Sequence, residues 1–268
     1  MDVLVLLLQV VLIFVVAFIY SNLGLGGGLL FVPILLSTGV SSKDLAVPIS
    51  LTLTMATAAS SVINHHRRGF VDFRLGSLLV AGALLGAVVG TSFTLLVLDE
   101  RTFKAFFAAV LLLFGAYMVL DWVRNKRSVD EDNDGFLTRP RVVGTAVSTA
   151  GSGFLSGAMG IGGGLLNVPL LVYVLGRKTR KAIGTSSLLI IPTAAVGFAA
   201  YLAGLALRPA GFSWPDPFFL IPILMPVVFV GAYVGSRWGL ARLRTRSVAL
   251  IFIIVLFIAA AKLLLDLL

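Results

Sequence analysis

The chain has 268 residues, 59% of them hydrophobic and 12% charged, with a mean hydropathy of +1.05. A soluble domain carries about 25% charged residues, so this composition excludes a water-solvated globule and makes lipid the solvent. The net charge of +9 does not indicate nucleic acid, because the basic residues sit in short loops between apolar runs, and the lack of cysteine excludes disulfides, thiolate metal sites and cysteine nucleophiles.

Apolar runs fall at 3–20, 27–39, 45–63, 75–97, 102–123, 142–158, 163–176, 182–203, 218–236 and 247–265. Most approach the ~20 residues a helix needs to cross the hydrocarbon. The first lacks a basic n-region and an obvious small-residue cleavage site, so it reads as a retained span and not a signal peptide. The second and seventh are short, and each follows a run of glycines. His65 and His66 end the third run beside Arg67 and Arg68. A cluster of this kind usually anchors a helix end at the interface; as a functional group, His65, His66 and Arg67 are candidates for gating or anion entry. In the fourth run Gly82, Gly86 and Gly90, spaced by four, mark a face for close helix packing. The polar stretch 124–141, with Asp130, Glu131, Asp132 and Asp134, reads as a cytoplasmic linker between two transmembrane repeats, 1–123 and 142–268.

The two halves repeat at an offset of 136: Gly24–Pro33 (GLGGGLLFVP) returns as Gly160–Pro169 (GIGGGLLNVP), and Ala46–Ser50 as Ala182–Ser186. After a longer loop in the second half, Gly86–Gly90 matches Gly231–Gly235. If each short segment turns back toward the side its predecessor came from, each half has odd parity and the second half is inverted. Loops 67–74, 124–141, 177–181 and 237–246 then face the cytoplasm with 16 of the 21 Lys and Arg residues. Fusing each pair into one kinked span splits the same residues 10 against 11. Because Lys and Arg in short loops set orientation, the inverted arrangement is preferred. The expected fold is an all-α membrane protein of two inverted-topology repeats, each a broken or re-entrant glycine-rich helix pair plus three spanning helices. Its place is the cell inner membrane, multi-pass, with both termini periplasmic.

In hydrocarbon, irregular backbone survives only where it is buried in protein or lines a cavity. A glycine run breaks the helix, and the next segment starts a new one with unpaired amides and a positive dipole end. Such an end binds anions without a charged side chain. Inverted halves bring one tip from each side to the midplane, the arrangement of inverted-repeat transporters. Gly26, Gly27, Gly28, Gly162, Gly163 and Gly164 are therefore the leading binding candidates.

The pair GLGGGLLFVP and GIGGGLLNVP, one per half with a polar loop between, resembles the sulfite exporter TauE/SafE family over essentially the whole chain. The resemblance implies export of sulfite or small organosulfonates such as sulfoacetate. Phe31 stands where the second half has Asn167, so the two tips are not chemically equivalent. Asn22, Ser50, Asn167, Thr185 and Ser186 join the binding candidates, because amides and hydroxyls coordinate a sulfonate oxygen without the cost of a buried charge. For any single hydroxyl, bonding to its own helix backbone is the simpler role. No carboxylate lies mid-span where a proton-coupled pump usually keeps one. The expected partners are a small anion and the bilayer, with a homo-oligomer compatible and no cofactor or metal. An anion channel or a permease for another oxyanion or carboxylate is the alternative. An intramembrane enzyme or assembly scaffold is disfavoured, since the pattern offers neither a nucleophile–base pair nor a metal site.

Overall fold

The computed structural model describes residues 3–40, 42–123, 132, 137–207, 216–242 and 245–267. The described residues form α1 (Val3–Tyr20), α2 (Gly28–Ser37), α3 (Lys43–Arg67), α4 (Phe73–Leu96), α5 (Glu100–Val123), α6 (Arg139–Met159), α7 (Gly164–Pro169), α8 (Thr179–Ala206), α9 (Leu220–Arg242) and α10 (Thr245–Leu265). Six of these helices are long and apolar enough to cross a membrane. The outer faces of the helices expose Leu8, Val11, Leu85, Val89, Leu113, Val147 and Ile258, side chains that only lipid solvates well.

Local chemistry sets the boundaries. Ser42 caps α3 by accepting from the Asp44 amide at 3.2 Å, and Asp72 caps α4 by accepting from the Leu75 amide at 3.0 Å. α6 starts at Arg139, inside the expected linker, with Pro140 in its first turn. Most of 124–141 lies outside the described residues. Pro169 cannot continue the α-helical ladder, and α7 passes into a π-helical turn, Leu170–Val174, closed by a Leu175 amide to Leu170 carbonyl bond of 3.1 Å.

α2 runs back along α1: the Gln9 amide nitrogen donates to the Thr38 carbonyl at 3.2 Å, so the short helix ends halfway up its predecessor. The rest of the packing obeys an exchange. α4 lies on α6 as α9 lies on α1, α4 meets α8 as α9 meets α3, and α3 pairs with α8 and α5 with α10. Along the α4–α6 contact, side-chain carbons on Gly82, Gly86 and Gly90 would strike the carbonyls of Ala146, Ala150 and Phe154 in register. Gly231 and Gly235 press on the Phe14 and Phe18 carbonyls in the same way, the pseudo-equivalent pair. The four-residue glycine spacing thus serves close helix approach, where small residues replace a hydrophobic driving force.

α3 and α8 are antiparallel, since Gly184 abuts His65 while Gly197 abuts Leu51. α5 and α10 are antiparallel too, with Gly115 against Phe257 and the Arg101 guanidinium on the Leu267 carbonyl at 3.3 Å. α3 is the innermost span, 78% of its apolar window buried against 28% for α1.

Candidate functional site

The two glycine tips meet near the middle of α3 and α8. In the first, the chain leaves α1 through Gly24 (φ 68°) and Gly26 (φ 79°) and enters α2 from Gly27 (φ 97°). In the second, Gly160 (φ 72°), Gly162 (φ 87°) and Gly163 (φ 76°) repeat that path into α7. The stretches 24–28 and 160–164 are buried throughout. Their contacts are reciprocal: a side-chain carbon on Gly28 would overlap the Gly160 carbonyl, and one on Gly164 the Gly24 carbonyl. No side chain larger than hydrogen fits either position.

Each tip is held by the other half. Ser50 on α3 donates to the Gly160 carbonyl at 2.9 Å, and Ser186 on α8 donates to the Gly24 carbonyl at 2.8 Å. These two candidates therefore fasten the tips, and their hydroxyl protons are committed. Neither Gly27 nor Gly163 supplies a side-chain cap: the Leu30 and Leu166 amides bond the Gly27 and Gly163 carbonyls, while the Gly28 and Leu29 amides of α2 and the Gly164 and Leu165 amides of α7 precede the first intrahelical bond.

Thr54, on α3 between the tips, is the residue that sequence reasoning left in the background. Its methyl lies against both Gly26 and Gly162, and its pseudo-equivalent is Ile190, which touches the same two glycines. Thr54 is fully buried and its hydroxyl has no hydrogen-bond partner. The Ser156 hydroxyl on α6 is likewise buried and unpartnered. No periodicity distinguishes such hydroxyls from the satisfied ones beside them.

The remaining candidates divide. The Asn167 carboxamide oxygen lies 2.7 Å from the Ser152 hydroxyl, while its counterpart Phe31 lays its ring on Gly27. Asn22 donates to the Phe18 carbonyl at 2.9 Å and keeps a buried, unpartnered Oδ1. Thr185 lies away from the tips, accepting from the Asp72 amide at 3.0 Å. His65 and His66 part company: His65 is fully buried, whereas His66 is exposed and meets Phe73 edge-on. Arg67 is exposed at the helix end, 3.4 Å from the Tyr233 hydroxyl.

A charged network closes this end of the bundle. Arg177 binds Asp72 at 3.1 Å, Lys181 binds Asp132 at 3.1 Å, and the Lys178 amide donates to Asp132 at 3.0 Å. At the other end the Glu100 carboxylate accepts from Ser42 and the Lys43 amide, and the Lys43 ammonium holds Asp44 at 2.7 Å. An apolar groove of about 350 Å³ runs between α1, α2 and α10, lined by residues such as Leu12, Ile19, Pro33 and Ile258; it suits acyl chains and not an anion. Among the described residues no cluster of His, Asp or Glu could hold a metal.

The family model for sulfite exporter TauE/SafE proteins matches residues 9–263. The chain belongs to the TauE/SafE family. A probable membrane transporter protein of Xylella fastidiosa is 31% identical over 179 residues, covering 65% of this chain and 66% of that one. The probable membrane transporter protein YunE of Bacillus subtilis is 23% identical over 269 residues, 92% of each chain. The archaeal relative MJ0441 of Methanocaldococcus jannaschii is 23% identical over 87% of this chain and 84% of its own. No solved structure matches. This TauE/SafE member is thus a multi-pass membrane transporter whose duplicated glycine motifs pack against one another.

Proposed function

We propose that this TauE/SafE member moves small sulfur-containing anions, sulfite or organosulfonates such as sulfoacetate, out of the cell by alternating access at the paired glycine tips. The observation that carries the reading is the unpartnered Thr54 hydroxyl, buried where two uncapped helix N-termini converge. Each N-terminus offers about half a positive charge, so two together offset roughly one negative charge of a bound anion. The family's sulfite-exporter description supports the sulfur oxyanion.

The helix directions support an inverted-topology arrangement of the two repeats. A two-fold axis along the bundle would make α3 and α8 parallel, whereas they run antiparallel, as do α5 and α10. An axis lying in the membrane plane accounts for both pairs. With the arginine-rich loops inward, the chain sits in the inner membrane with both ends periplasmic.

Uptake of radiolabelled sulfite into proteoliposomes of the purified protein tests the cargo, with sulfoacetate, sulfate and chloride as competitors. Saturable uptake blocked by sulfoacetate is expected. Ohmic, unsaturable flux would replace the carrier with a channel, and absence of uptake would remove sulfite.

A further inference from the structure

We infer that His65 is a proton-binding site that couples proton movement to anion movement. The inference rests on the transporter reading and adds to it an ion that the paired tips alone do not explain.

The protonation geometry is set by neighbours. His65 Nδ1 lies 2.9 Å from the Ser61 carbonyl, and a carbonyl can only accept, so Nδ1 carries the proton. Nε2 therefore holds the lone pair. It is buried and has no partner, in a side chain with no exposure to solvent. Ionisable groups inside a membrane protein are costly to keep unless they work. His65 is also wired to both repeats. Ser61, 3.2 Å from Nδ1, donates to the Ser21 carbonyl at the root of the first tip and lies 3.4 Å from the Ser187 hydroxyl of α8. Across the helix pair, Gly184 of α8 touches the His65 side chain. Eleven residues separate His65 from Thr54 on α3, about 16 Å along the axis, which puts His65 between the tips and the basic end.

The surrounding charges set the direction of coupling. Arg67 ends α3 and Arg68 follows it, Asp72 caps α4 and Arg74 lies in its first turn, Arg177 and Lys178 precede α8, and Arg180 and Lys181 lie in its first turn. α9 contributes Tyr233 and Arg237, and α1 ends at Tyr20, followed by Ser21 and Asn22. The one carboxylate among these, Asp72, is engaged by Arg177. An imidazolium here has no free counter-charge, and in the closed packing its Nε2 proton has no acceptor. Protonation therefore becomes favourable when the mouth opens and an anion arrives. Proton and anion load together, and by reciprocity each raises the affinity of the other.

The sequence has only two histidines, so imidazole-¹⁵N NMR of the lipid-reconstituted protein reads His65 directly, with His66→Gln assigning the signals. The expected result is an imidazole that takes up a proton and whose titration midpoint moves upward when sulfoacetate or sulfite is added. In proteoliposomes, acidifying the source side by one unit should stimulate anion uptake by up to about tenfold per coupled proton. His65→Gln, normalised to its own flux at symmetric pH, should bring that stimulation to about onefold. An imidazole that stays neutral throughout, or stimulation that survives in His65→Gln, overturns the inference. If none of the tested anions moves through the wild-type protein, the cargo reading fails separately, and the titration alone decides whether His65 binds a proton.

Discussion

Thr54 keeps a hydroxyl where packing would prefer a methyl, as its counterpart Ile190 demonstrates on the other side of the same contact. A buried hydroxyl without a partner costs on the order of 1 kcal/mol or more. Thr54→Val, nearly the same in volume, should therefore raise thermal stability by about 1 kcal/mol while weakening anion affinity roughly fivefold. Thr54→Ser should hold affinity near wild type. Thermal unfolding alongside competition binding checks the split, and a variant that loses stability and affinity together would make Thr54 a packing residue. Little of this was legible beforehand. The sequence marks hydroxyls near the motifs but not which has an acceptor, because Ser50 and Ser186 find theirs in the opposite half, more than a hundred residues away. Adjacent His65 and His66 could not be told apart either. Neighbours on a helix point about 100° apart, and only the packing of α8 decides which faces inward.

At the scale of elements, the charged network ties the segment around Asp132 to the start of α8. Burial pushes the Asp132 carboxyl up, but the Lys178 amide, the Lys181 ammonium and Arg177 outweigh it and hold it below the ordinary value of 3.8. A depressed carboxylate contributes stability that is fully present above its ordinary value and is lost as pH falls through the lowered one. The contact should thus persist at neutral pH and release below about pH 4. Asp132→Asn should release it at neutral pH, read as faster limited proteolysis between the two repeats and as sensitivity no longer dependent on acidification. Unchanged proteolysis in the variant would show that Asp132 does not hold this segment. Helix boundaries were the most legible level: apolar length and the glycine motifs located most of the described helices to within three residues, while α9 runs to Arg242, six past the expected end, and α7 gives way at Pro169, seven short of it. Missed were the early start of α6 and the π-helical turn after Pro169, since both depend on how the chain docks and not on hydropathy.

For the whole molecule, the offset of 136 residues that relates the motifs also relates the contacts: Gly24 with Ile183 mirrors Gly160 with Val47, and Ser186 mirrors Ser50. Duplication was legible because glycine has no substitute at these close approaches. The direction of the second copy was not carried by the motifs at all, and depended on counting loop charges. Alkaline phosphatase fused after Leu268 should be active if the proposed inverted arrangement holds, since it would carry that end to the periplasm. Phosphatase fused in the segment before Arg139 should be silent. Activity in the reverse pattern would rule out the orientation.

The crossed seating of the tips also bears on how such a chain could arise. Ser50 and Gly28 have their partner, the Gly160 carbonyl, only in the second copy, and Ser186 and Gly164 theirs, the Gly24 carbonyl, only in the first. A lone half would leave those serine hydroxyls unbonded and both carbonyls bare within the hydrocarbon, where each unmet polar group costs several kcal/mol. An ancestral single-repeat protein could have closed its tip only on a sister molecule inserted the other way up. Gene fusion would then have made permanent a pairing that two separate chains had already learned to form.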